Sequence, residues 1–179
     1  MPAGSAAAAA PPSDLVELGA VSGAYGVQGW VRVSLRGSDG AVLERAAIWW
    51  LLTGSAARPV RVQETRRHGQ VLLARWEQCD SKESADALKG ASVAVPRSEF
   101  PLLPDGEYYW SDLLGCRVVN RSGAELGLVS GLRENRGGQW LEVTQPGQRD
   151  ARLVPLNARY VDGVDLAARC VQVDWDAEW

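Results

Sequence analysis

Glu107-Tyr-Tyr-Trp-Ser-Asp-Leu-Leu-Gly115 divides this chain. Three consecutive aromatics cannot all face one core. In an extended segment Tyr108 and Trp110 point one way and Tyr109 the other. Pro96, Pro101 and Pro104 lie just upstream and interrupt any regular element. The stretch therefore follows a stiff linker and opens a second unit. An aromatic cluster at such a junction either packs two units together or offers anchors to a partner.

Working outward, the amino-terminal side reads as a series of short strands. Leu15 to Val21 is a strand, followed by Ser22-Gly-Ala-Tyr-Gly-Val-Gln-Gly29. Trp30 to Leu35 then alternates, with Val31, Val33 and Leu35 on one face. The glycine-rich link has neither GxGxxG nor a closing Gly-Lys-Ser/Thr, and no helical pattern follows it. It reads as a turn between strands, not as a phosphate cradle. Ala47 to Leu52 is a strand in which Trp49 and Trp50 take opposite faces, leaving one of them a candidate surface aromatic. Val60 to Thr65 and Val71 to Trp76 flank a hairpin connection, Arg66-Arg-His-Gly-Gln70. Asp80-Ser-Lys-Glu83 has capping-box spacing for a short helix that ends at Gly90. Val93 and Val95 mark a closing strand.

On the carboxyl side, strands are expected over Cys116–Val119, Ala124–Ser130, Gln139–Thr144, Arg152–Leu156 and Cys170–Trp175. Asn120-Arg-Ser-Gly123 is a turn, and residues 131–138 form a polar loop. Pro155 marks an edge or a strand end. The fold class is all-β: two small antiparallel β-barrels joined by a short Pro-containing linker, with one short helix in the first. The expected boundaries are a disordered tail at 1–13, a six-stranded barrel at 14–96, a linker at 97–106 and a second barrel at 107–179.

Charge is uneven. Residues 1–100 hold 11 Lys+Arg against 10 Asp+Glu, whereas residues 101–179 hold 8 against 12. An acidic second half argues against broad phosphate-backbone binding there and suits a basic protein partner. No metal and no cofactor is expected: Cys79, Cys116, Cys170 and the lone His68 are too scattered for zinc. The odd, unclustered cysteines read as buried reduced thiols of a cytosolic protein. The longest apolar run, Ala46 to Leu52, is too short to span a bilayer, so the chain is expected to be soluble and cytoplasmic. No Ser-His-Asp or Cys-His set can be assembled, and the carboxylate pairs Asp162/Asp165 and Asp174/Asp176 read as solvated charges; an enzyme is not expected. Arg58, Arg61, Arg66 and Arg67 make a modest basic patch, read either as a solvated hairpin tip or as a contact for RNA phosphate.

Several stretches, taken in order, resemble the family of the ribosome maturation factor RimM. They are Leu18-Gly-Ala-Val-Ser-Gly-Ala-Tyr-Gly-Val-Gln-Gly-Trp-Val-Arg-Val33, Ser84-Ala-Asp-Ala-Leu-Lys-Gly90, Phe100-Pro101 with Asp105-Gly-Glu-Tyr-Tyr-Trp-Ser-Asp-Leu-Leu-Gly115, Gly123-Ala-Glu-Leu-Gly127, Leu153-Val-Pro155 and Val173-Asp-Trp175. The chain departs from the family's usual residues at Tyr25, Gln28, Trp30, Ser81, Lys82 and the stretch 135–140. The resemblance implies a translation-factor-like barrel followed by a PRC-type barrel. It also implies a non-enzymatic assembly factor of the small (30S) ribosomal subunit that assists 16S rRNA processing. The implied partners are a basic ribosomal protein of the subunit head, the nineteenth of the small subunit, within the pre-30S particle, and nearby 16S rRNA. The family's tyrosine pair, associated with subunit binding, falls on Tyr108 and Tyr109. With Arg133, Asn135 and Arg136 of the polar loop they form the candidate partner-binding set, in a protein expected to act as a monomer. The alternative is a direct RNA-binding module working through the arginine patch.

Overall fold

A computed structural model describes residues 10–37, 39–176 and 178 of the chain. The tail expected at 1–13 lies largely outside these described residues. Two compact units divide at Leu103/Pro104.

The first unit is a closed barrel of six strands. They are β1 (Leu15–Tyr25), β2 (Trp30–Leu35), β3 (Ile48–Thr53), β4 (Ala56–His68), β5 (Val71–Trp76) and β6 (Ser92–Pro96). Around the barrel the order is β1-β2-β5-β4-β3-β6, and every pairing is antiparallel. The alternation of β2 is obeyed: Val31 and Val33 are sealed inside, whereas Arg32 and Ser34 are exposed. Long β1 serves two neighbours, β6 through its first half and β2 through its second, and a register shift between Val21 and Gly23 lets it turn.

The β1–β2 link is a turn, as its glycines imply. At Gly29 φ is +76°, and a Cβ there would sit 1.8 Å from the carbonyl oxygen of Cys79. No side chain fits at this position. A helix that the sequence did not signal, α1 (Gly40–Arg45), packs Val42 and Leu43 into the barrel. It is only six residues long, too short for a periodic pattern to register. Trp49 is fully buried, donates its indole N–H to the Leu43 carbonyl at 3.0 Å and meets Trp76 edge-on at 5.9 Å. Each such ring contributes about 2–3 kcal/mol of burial. Trp50 is buried as well, at 7% exposure, so neither member of the pair is the expected surface aromatic.

The short helix α2 (Lys82–Asp86) does form, but its cap lies one residue later than the spacing suggested. Ser81 is the N-cap, accepting from Ser84 N–H at 3.1 Å, and the Ser84 hydroxyl accepts from Ser81 N–H at 3.2 Å. A serine replaces the expected Glu83 because either side chain offers the acceptor that the first helical turn needs. The helix buries Ala85.

The second unit holds α3 (Trp110–Leu113) and six strands: β7 (Arg117–Asn120), β8 (Glu125–Asn135), β9 (Gly138–Thr144), β10 (Arg152–Pro155), β11 (Val161–Asp165) and β12 (Cys170–Val173). The sheet runs β10-β9-β8-β7-β12-β11. Its pairings are antiparallel except β7 with β12, which run parallel. The chain's last strand thus covers the free edge of β7, a long-range pairing that no local pattern announces. The core is Leu113, Val118, Leu126, Val129, Leu141, Val143, Val154, Val171 and Val173, with Cys116. Pro155 ends an edge strand, where no ladder donor is missed.

Three expectations are corrected here. The polar loop at 131–138 is mostly strand, since β8 continues to Asn135 and pairs with β9 to its tip. Its polarity reflects an exposed ribbon and not a loop. Residues 161–165 form β11, which was not expected. Trp110 opens a helical turn, so Tyr108 to Trp110 is not one extended run. Cys79 and Cys116 are buried free thiols; Cys170 is half-buried.

Candidate functional site

The segment entering the second unit carries the tyrosine pair. Glu107 N–H bonds the Pro104 carbonyl at 3.1 Å, closing a turn in which Gly106 takes φ +85°. Tyr109 then stands at the N-cap of α3 with extended backbone, and its carbonyl accepts from Asp112 N–H at 3.0 Å. The far end of α3 is fastened to β8 through Gly115 N–H and the Val129 carbonyl, 2.7 Å apart. Leu113 at 0% exposure is the plug that seats the turn.

The two tyrosines have different environments. Tyr109 is buried, at 8% exposure. Tyr108 is half-buried: its ring rests on the core of the second unit, and its hydroxyl has no hydrogen-bond partner among the described residues. Asp105 and Glu107, immediately before it, are exposed and have no ion pair among the described residues. A half-buried ring with an unpartnered hydroxyl thus directly follows two exposed carboxylates in the chain.

Arg133, Asn135 and Arg136 occupy one hairpin, β8–β9. Arg133 is committed to Glu142 across the ladder, with Nε 2.9 Å from Oε1. Asn135 closes the tip by accepting from Gly137 N–H at 2.8 Å. Arg136 is exposed at the turn, with no ion pair among the described residues. No hydrogen bond or ion pair joins Tyr108 to this tip. The tip lies six residues along β8 from Val129, roughly 20 Å at strand rise.

In the first unit, Arg58, Arg61, Arg66 and Arg67 all lie on β4, yet they do not make one patch. Arg66 and Arg67 are successive and take opposite faces. Three of the four have carboxylate partners: Arg61 with Glu77 at 3.7 Å, Arg66 with Glu64 at 2.8 Å and Arg67 with Glu44 at 2.8 Å. Arg66 also stacks on Trp30, its guanidinium carbon 4.8 Å from the ring centroid. The sequence missed this aromatic–arginine contact, because it joins β2 to β4. His68 is exposed at the hairpin end.

Among the described residues no group of three or more His, Cys, Asp or Glu is placed to hold a metal ion. The Cys116 thiol is pushed up by burial, against the opposing influence of Arg169, which leaves it a poor nucleophile. A shallow concavity of about 470 Å³ on the second unit is lined by Leu126, Val143, Asp150, Arg152 and neighbouring residues.

Two family profiles account for most of the chain. The RimM N-terminal domain matches residues 16–100 and the RimM PRC barrel domain matches residues 110–179. The chain belongs to the RimM family. Relatives named ribosome maturation factor RimM include one from Burkholderia vietnamiensis, 39% identical over 94% of this chain and 79% of its own length. Another, from an Acidovorax species, is 38% identical over 94% of both chains. A crystal structure of a RimM from Pseudomonas aeruginosa, described as a 16S ribosomal RNA processing protein, is 32% identical with a TM-score of 0.47. That likeness covers 93% of this chain and all of the other. The RimM family is one of ribosome maturation factors, assembly factors and not enzymes. Among the described residues no helix is long and apolar enough to cross a membrane.

Proposed function

We propose that this chain matures the small (30S) ribosomal subunit by docking, through its second unit, on a basic ribosomal protein of the subunit head, the nineteenth small-subunit protein, and thereby assists 16S rRNA processing. It acts as a cytoplasmic monomer without cofactor. The observation that carries the docking is the Asp105–Glu107–Tyr108 edge, where two exposed carboxylates without an ion pair precede a half-buried tyrosine whose hydroxyl has no hydrogen-bond partner among the described residues. Such an edge matches a basic protein: the carboxylates steer and orient it, and the aromatic ring is an anchor of the kind that dominates interfaces. Tyr109, being buried, serves by holding Tyr108 and α3 in place. Arg136 offers an additional donor at the β8–β9 tip, with Asn135 shaping the turn and Arg133 stiffening the ribbon.

The experiment is a binding titration of the full chain against that purified head protein. Tyr108→Ala should weaken binding by about 2 kcal/mol, roughly thirtyfold. Asp105→Asn with Glu107→Gln should slow association and flatten its salt dependence. Unchanged affinity in a folded Tyr108→Ala protein would remove this edge from the interface. Sedimentation of cell extract should find the chain with free small subunits and not with mature ribosomes. The alternative, RNA contact through Arg58, Arg61, Arg66 and Arg67, has weaker support, since three of these cations are already paired with carboxylates.

A further inference from the structure

A different arginine set gathers on the outer face of the first unit's barrel. Inward-facing Val31, Val33 and Ala74 put Trp30, Arg32 and Arg75 on the solvent side of β2 and β5. The register then aligns neighbours across strands. Tyr25 lies opposite Trp30, Val31 opposite Ala74 brings Arg75 beside Trp30, and Arg66 shares a row with Leu73 and Arg32. The side chains use this alignment. The Arg66 and Arg75 guanidinium carbons lie 4.8 and 5.8 Å from the Trp30 ring centroid, and that of Arg32 lies 5.3 Å from the Tyr25 centroid. Trp30 is thereby reduced to 9% exposure, while Tyr25 keeps 44%.

Charge on this face is cancelled only in part. Arg66 has Glu64 as partner, but Arg32 and Arg75 have no ion pair among the described residues. The Nε of Arg75 is buried without a hydrogen-bond acceptor. A buried donor of this kind is costly unless an acceptor arrives or the aromatic face offsets the loss.

We propose that this face, built on Tyr25, Arg32, Arg66 and Arg75 around Trp30, binds unpaired RNA. An exposed ring stiffened by a guanidinium is a platform for one base, and Arg32 and Arg75 supply cations for the adjoining phosphates. Planar guanidiniums placed over aromatic rings suit stacked bases and phosphate oxygens better than they suit the scattered carboxylates of an acidic protein. The site stands on the first unit alone and is independent of the second unit's docking edge.

The test uses the full chain and a fluorescently labelled single-stranded RNA of mixed sequence, followed by anisotropy at low and moderate salt. A duplex RNA and polyglutamate serve as competitors. Binding to the single strand is expected, with Tyr25→Ala weakening it roughly tenfold and Tyr25→Phe retaining it. Arg32→Gln and Arg75→Gln should each reduce the logarithmic salt slope by about 0.7, whereas Arg58→Gln should not change it. Circular dichroism establishes that each variant is folded, and Arg32→Gln, on an exposed side chain, keeps the test decisive should Tyr25→Ala unfold. Absence of binding at low salt, equal affinity for the duplex, displacement by polyglutamate in preference to RNA, or a folded Tyr25→Ala protein with unchanged affinity would each overturn the proposal.

Discussion

Arg121 grips the Asp162 carboxylate with two donors, Nε at 2.8 Å and Nη2 at 2.7 Å. Its remaining nitrogen reaches Asp174 at 2.8 Å. One guanidinium thus ties the β7–β8 turn to edge strand β11 and to the residue after β12. The hydrogen bond from Arg121 is the main cause that holds the Asp162 carboxyl below its usual range. A depressed carboxyl stabilises the fold above its unfolded value, and that contribution is lost as pH falls through the lower folded value. Asp162→Asn should therefore lower the melting temperature at neutral pH, and the deficit should shrink as pH drops below about 4. Thermal unfolding across that range is the measurement. A deficit that stays constant would mean the clamp contributes by packing and not by charge.

The two tyrosines should separate cleanly. Tyr109→Ala empties a buried site and should cost about 3 kcal/mol of stability. Tyr108→Ala leaves a half-buried ring position and should cost clearly less, while carrying the larger loss in partner binding. Denaturant unfolding beside a binding titration distinguishes the two effects.

Gly29 should tolerate no side chain. Alanine there meets the Cys79 carbonyl at 1.8 Å with φ at +76°. Gly29→Ala is expected to destabilise the first unit by several kcal/mol, whereas Gly26→Ala, with open space around it, should suffer only the cost of its positive φ. Circular dichroism melts of the two variants compare them directly.

Trp49→Phe keeps an aromatic ring but removes the donor to the Leu43 carbonyl, which joins α1 to the barrel. A loss of about 2 kcal/mol is expected, from the orphaned buried carbonyl and the smaller ring. Ser81→Ala, at the α2 cap, should cost about 1 kcal/mol. Equilibrium unfolding in urea resolves both.

Much of the fold was legible in local pattern. Val31 and Val33 alternate with polar neighbours, Leu141 and Val143 do the same, and the glycines at 26 and 29 mark the turn between β1 and β2, while Gly23, expected in that turn, lies at the register shift within β1. Where the pattern misled, the cause was physical. The β8 tip reads as loop because both of its faces are polar; it holds as strand because Arg133 pairs with Glu142 on the neighbouring strand. Residues 161–165, with two aspartates and a glycine, have little strand propensity and become β11 by pairing with β12.

By itself the sequence determined the β-rich character, the division near the Pro-containing stretch, the glycine-shaped turns and the acidic second half. These follow from backbone preference and composition, which each segment carries alone. Only the tertiary structure decided that Tyr109 is buried while Tyr108 reaches solvent, that the β4 arginines are split between faces, and that Trp30 lies under Arg66 and Arg75. Neighbours in a sheet are set by strand register, and register depends on pairing between segments distant in the chain.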